Sequence, residues 1–108
     1  MTSPVVDLGA LKLPRSVPAG IFVADGAAFN GPCQLYGWSI AETTGAATAS
    51  LNLRDGGDAN SPKIALVNLL AAESTRDWFS GPGLWCQTGV FVDWISGSID
   101  LTLYLVRQ

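Results

Sequence analysis

Beyond Gly20 the chain alternates short runs rich in Val, Ile, Leu, Thr, Trp and Phe with clusters of Gly, Pro, Asn and Asp, at spacings of about ten residues. The period-2 signal is clearest at the C-terminus, where Ile99, Leu101, Leu103 and Leu105 fall on one face and Ser98, Asp100, Thr102 and Tyr104 on the other. Ala47, Ala49, Leu51 and Leu53 alternate in the same way with Thr48, Ser50, Asn52 and Arg54. The turn Asp55-Gly56-Gly57-Asp58 follows, made of residues that tolerate positive φ. Lys63 to Leu70 and Val90 to Ile95 break the alternation and are apolar on nearly both faces, which predicts strands covered on both sides. Ile64 to Ala72 alone has a composition that suits a helix, but its length is marginal. Ser61-Pro62 before it and Glu73-Ser74-Thr75 after it suit a strand followed by a turn, and we read it as a strand.

The predicted strands are 20–24, 34–41, 47–54, 63–70, 74–79, 84–87, 90–95 and 98–107. They define an all-β chain, an antiparallel β-sandwich of jelly-roll-like type with about eight strands. Residues 19–108 form the sandwich domain and residues 1–18 an extended N-terminal arm, since Pro4, Pro14 and Pro18 interrupt any sustained period. Val5, Val6, Leu8, Leu11 and Leu13 are costly to leave in water, so the arm lies along this domain or a neighbour, or pairs as an edge strand on its own sheet.

At 108 residues there is room for one core. Only 14% of residues are charged while 48% are hydrophobic, which excludes intrinsic disorder. No apolar run is long enough to cross a bilayer and no basic-then-apolar leader precedes the first proline, so neither a membrane span nor a signal peptide is expected. The net charge is −3, and the basic residues Lys12, Arg15, Arg54, Lys63, Arg76 and Arg107 are scattered, which argues against nucleic acid as a partner. Histidine is absent, and with it the usual general base at neutral pH and the commonest transition-metal ligand. No enzymatic activity, cofactor or metal is expected.

The surface points to assembly. A chain of this mass exposes roughly 5,700 Å², and 15 charged residues are too few to cover the quarter to third that soluble monomers devote to charge. Four Trp, four Phe and two Tyr exceed what one thin core readily accommodates. Depletion of Lys and Glu with enrichment in aromatics is the composition of a buried protein–protein contact. We expect a homo-oligomer, a surface docked on a larger lattice, or both. The interface candidates are Val5, Leu8, Leu11 and Leu13 on the arm, and Trp38, Arg76, Trp78, Trp85 and Tyr104 on the sandwich. Arg76 is expected to pair with an acid across strands or subunits.

Other constellations favour plainer readings. Asp55 to Asn60 gathers oxygen ligands but lacks the spacing and closing carboxylate of an EF-hand, and reads as a polar hairpin loop. Asp93 and Asp100, with Glu42 or Glu73 as a third, form no spacing that selects a glycosidase pair. Trp38, Trp78, Trp85 and Trp94 suit a core or an interface better than sugar stacking. Cys33 and Cys86 have no metal-ligand spacing and read as buried free thiols; pairing them would contribute about 4 kcal/mol in the chain-entropy model.

Taken in order, Leu35-Tyr36-Gly37-Trp38-Ser39-Ile40 with Glu42-Thr43-Thr44-Gly45, then Ala49-Ser50-Leu51-Asn52-Leu53-Arg54-Asp55-Gly56, Glu73-Ser74-Thr75-Arg76-Asp77-Trp78-Phe79, Gly81-Pro82-Gly83-Leu84-Trp85, Gly89-Val90-Phe91-Val92 and Ser96-Gly97-Ser98 resemble small virion proteins of tailed bacteriophages, especially those of actinobacteria. The resemblance spans roughly 34–106 and implies a β-sandwich building block of the virion, made in the host cytoplasm. Its role would be capsid decoration, a head fibre or a tail component. It implies a homo-oligomer, a trimer or other small ring, docked on the major capsid protein or another virion protein. It brings no catalytic residue with it. The rival reading is a receptor- or carbohydrate-binding module of a fibre, using exposed Trp and Tyr with the 55–60 loop.

Overall fold

Alternating apolar residues make strands here because only a pleated chain can send every second side chain to one side, and two such faces must then cover each other. The computed structural model describes residues 13–79 and 82–108. It contains nine strands: β1 (Arg15–Phe22), β2 (Gly26–Asn30), β3 (Cys33–Glu42), β4 (Ala49–Arg54), β5 (Lys63–Leu69), β6 (Ser74–Trp78), β7 (Leu84–Cys86), β8 (Gly89–Ser96) and β9 (Ile99–Arg107). The first sheet has the order β1-β9-β3-β6, with β7 in line with β6 along the same edge of β3; the second has the order β2-β8-β4-β5. All pairings are antiparallel.

The pairings nest. β4 pairs with β5, β3 with β6 and β7, β2 with β8 and β1 with β9, so the chain runs as one long doubled hairpin whose tip is the 55–62 loop. Wrapping this hairpin then brings β9 beside β3 and β8 beside β4. The core lies between the sheets: Leu35, Ile40, Leu101, Leu103 and Leu105 from the first face Leu51, Leu53, Val67, Val90 and Val92 from the second.

Three expectations change. β2 carries the sequence Gly-Ala-Ala-Phe-Asn, poor in β-formers, and is a strand because it pairs with β8. The boundary at residue 18 moves: residues 15–18 belong to β1 and pair with β9 as an edge strand of the sandwich's own sheet, one of the two arrangements expected for the arm, and Pro18 costs no ladder bond because the strand lies at a sheet edge and shifts register between Pro18 and Gly20. Residues 1–12, with Val5, Leu8 and Leu11, lie outside the described residues, and Leu13 is exposed. The third change concerns β5 and β8, which are covered on one face only: Leu66 and Ile95 are about half exposed. Two layers give each sheet one buried face, so apolar residues on the other face stay at the surface.

One acidic side chain, Glu42, is taken up by loop contacts. The Glu42 carboxylate accepts Thr44 N at 2.9 Å and Thr44 Oγ1 at 2.7 Å on one oxygen, and Gly45 N at 2.6 Å and Ala72 N at 3.1 Å on the other. Ala72 is held at φ 61°, a left-handed conformation unfavourable for a residue with a Cβ. The Thr44 hydroxyl and amide, followed by the Ala72 and Gly45 amides, pull the Glu42 pKa down to about 2. A carboxyl whose folded pKa is depressed stabilises the protein above its unfolded pKa and loses that contribution as pH falls. We expect the melting temperature to drop between about pH 5 and pH 2. Glu42→Gln should be less stable at pH 7 and should flatten this acid limb; an acid limb of unchanged steepness in the variant would show that other carboxyls carry it.

Candidate docking face

The site is a cluster of aromatic side chains on the outer face of the first sheet, and a single glycine builds it. Along β3, Cys33 and Leu35 point inward, and so do Trp38, Ile40 and Glu42, a change of parity that requires an extra residue between them. The extra residue sits at a bulge in the β3–β9 pairing between Leu35 and Gly37. Tyr36 and Gly37 therefore both face outward. Gly37 is opposed by Trp78 of β6 on one side and Tyr104 of β9 on the other, and the Trp78 ring lies over the space a side chain would fill.

Trp78 packs between Tyr36, at 6.4 Å between ring centroids, and Tyr104, at 5.5 Å. It nevertheless remains 58% exposed. Trp85, opposite Gln34 on β7, lies on the same face and is 52% exposed. Arg76, two residues from Trp78, is exposed and has no ion-pair partner among the described residues. Covering Trp78 alone would contribute roughly 2–4 kcal/mol to an association.

The other outer face is different. On the second sheet Arg54 Nε donates to Asp93 at 2.9 Å, Asn52 Nδ2 donates to the same carboxylate at 3.3 Å, and the Ser50 hydroxyl bonds Asn68. Leu66 and Ile95 stand about half exposed among these polar groups. Asp100 is exposed on the first sheet's outer face, so Asp93 and Asp100 point away from the sandwich on opposite sides and cannot flank one glycosidic bond. Glu73 accepts the Leu70 amide at 3.0 Å and is tied up in its turn.

The 55–60 loop uses its oxygens on itself and its neighbours. Asp55 accepts the Gln87 and Thr88 amides at 3.0 and 3.1 Å, and Asp58 accepts the Asn60 amide at 2.9 Å and the Ser61 hydroxyl at 3.1 Å. These bonds make it a polar hairpin loop. Among the described residues no three Cys, Asp or Glu side chains converge as a metal-ligand set, and no helix is long and apolar enough to cross a membrane.

No protein-family model, curated protein or solved structure matches this chain. Of the sandwich residues singled out from sequence, Trp78, Trp85, Tyr104 and Arg76 share one outer face. Trp38 does not: it is 3% exposed and stacks edge-on against Phe79 at 5.3 Å inside the core, because the bulge turns it inward. Trp94 also packs against the core, its Nε1 donating to Gly97 O at 2.8 Å. Tyr36 was missed in the sequence reading. An isolated glycine within a strand pattern is the signal for such a bulge, and Gly37 supplied it.

Beside this face, between the open edges of β5 and β6, runs a groove of about 560 Å³ lined by Leu66, Asn68, Thr75, Asp77, Trp78 and Phe79 among others. Trp38 lines it too, and its buried Nε1 has no acceptor among the described residues. Both edges present unpaired backbone groups, as an added strand would require.

Proposed function

We propose that this chain is a non-enzymatic structural protein that works through protein–protein contacts, associating with copies of itself and with a larger shell through the aromatic face of its first sheet. The exposed cluster of Trp78 with Tyr36 and Tyr104 carries this reading. Indole and guanidinium groups surrounded by lesser contacts are the usual anchors of an interface, and Arg76 stands beside Trp78 to complete the set. The open edges of β5 and β6 support it further. The nested strand order supports a jelly-roll winding, since two Greek keys wrapped from one doubled hairpin give β1-β9-β3-β6 facing β2-β8-β4-β5.

Within this reading the protein is a capsid decoration protein of the kind its motif order resembles, made in the host cytoplasm and carried on the virion as a trimer or other small ring. It would bind the assembled shell in preference to free subunits and stabilise the shell by that difference in affinity, with no turnover. A carbohydrate-binding role is the second reading, favoured by the exposure of Trp78. It is weaker because the rings are tilted by 38° and 52° to one another and offer no flat stacking surface.

Sedimentation of the full chain tests the choice. The expected species at micromolar concentration has at least twice the 11.3 kDa of one chain. Trp78→Ser with Trp85→Ser should weaken association by at least tenfold while leaving the far-ultraviolet spectrum unchanged. A wild-type chain that stays monomeric and ignores purified capsids would overturn the proposal, and glycan-array binding lost in the same variant would put the second reading in its place.

A further inference from the structure

The chain has two cysteines, and the fold sets them face to face. Cys33 of β3 and Cys86 of β7 are register partners in an antiparallel pair, 53 positions apart in sequence, and both are fully buried. Such partners hold their Cα atoms about 4.5–5.5 Å apart, within the roughly 4.4–6.8 Å that a disulfide accepts. Both are free thiols here. Cysteine as a small core residue does not need a second cysteine opposite it.

We propose that Cys33 and Cys86 form a reversible dithiol–disulfide site that reacts with a small disulfide oxidant of the glutathione class and locks β7 onto β3. The two sulfurs already interact. Their mutual contact lowers the Cys33 pKa and, with burial, raises that of Cys86. Whichever thiol ionises first attacks the oxidant and its register partner resolves the mixed disulfide. The Asp55 carboxylate, which holds the Gln87 and Thr88 amides, opposes ionisation of both thiols and so slows the exchange.

The exchange balances in two steps. The thiolate of one cysteine attacks one sulfur of the oxidant, giving a mixed disulfide and expelling one thiolate. The other cysteine gives up its proton and attacks the sulfur of the first, forming the Cys33–Cys86 bond and expelling the second thiolate. Two protein thiols are oxidised, one oxidant disulfide is reduced to two thiols, and the protons lost by the protein end on those thiols.

Access comes from β7 itself. It is three residues long, lies at a sheet edge, and opens without breaking the β3–β9 or β3–β6 pairing. Closing the bond would fix the strand that carries Trp85.

The test uses the native full chain in excess oxidised glutathione, read by intact mass, thiol titration in denaturant and thermal melting. The expected product has lost both thiols and about 2 Da, carries no glutathione, and melts on the order of 10 °C higher; dithiothreitol reverses all three changes. Cys86→Ala should stop at one glutathione on Cys33. If that variant does not fold, the wild-type readouts decide alone. Thiols that stay reduced for days, glutathione retained on both cysteines, cross-linked dimers, or a mass loss without a rise in melting temperature would each overturn the proposal.

Discussion

Leu103→Ala is expected to cost about 2–5 kcal/mol, a large part of the total stability of a domain this size. Leu103 is fully buried on β9, the strand shared by β1 and β3, where it stands opposite Val17 on one side and Trp38 on the other. Truncation leaves a cavity bounded by two strands and by the facing sheet. Neither strand can close it without breaking its ladder with β9. Urea denaturation should show a lower midpoint with an unchanged slope. Tyr104→Ala, one residue on and facing outward, provides the contrast: it should change stability little and association strongly. A cost below about 1 kcal/mol for Leu103→Ala would mean that the sheets are not packed across this position.

Gly37→Ala is the second large effect, and it couples fold to site. A Cβ at this position would collide with the Asp77 carbonyl oxygen and stand 3.0 Å from Cε3 of Trp78. The first contact is with backbone, so β6 must move away from β3; the second displaces the indole at the centre of the aromatic cluster. We expect a loss of about 1–3 kcal/mol, together with a changed near-ultraviolet tryptophan signal and loss of self-association. Trp78→Ala would relieve the second contact but not the first. The double variant should therefore remain destabilised relative to Trp78→Ala alone. If Gly37→Ala instead associates and melts like the wild type, the bulge does not hold the site in place.

Much of the fold was legible along the chain because its strands obey local rules. Ile99, Leu101, Leu103 and Leu105 alternate without interruption, and all four are buried. Asp55-Gly56-Gly57-Asp58 marks the loop between β4 and β5. Lys63–Leu69 is a strand, as its flanks suggested, although its composition also suited a helix. Pattern reading faltered where a neighbour decides the outcome. β2 has no β-forming sequence of its own and exists by pairing with β8. β5 is nearly continuous in apolar residues yet lies at an edge, since periodicity reports how many apolar side chains a strand carries and not what covers them.

The candidate site divides in the same way. Excess aromatic residues on a chain with few charges led to the expectation of interface residues, Trp78, Trp85 and Tyr104 among them, and the fold places these three on one outer face. Which tryptophan would be hidden was a matter of one inserted residue. Without the bulge at Gly37, parity carried on from Cys33 and Leu35 would turn Trp38 to the surface.

By itself, then, the sequence determined that this is an all-β chain of short alternating strands, and that it has more ring surface than charge to cover it. These are sums and periods over neighbouring residues, which the chain carries before it folds. Only the tertiary structure decided which strands share a sheet, which of two outer faces collects the rings, and that Cys33 meets Cys86. Each of those depends on register between segments far apart in the chain, and a shift of one residue moves every side chain of a strand to the other face.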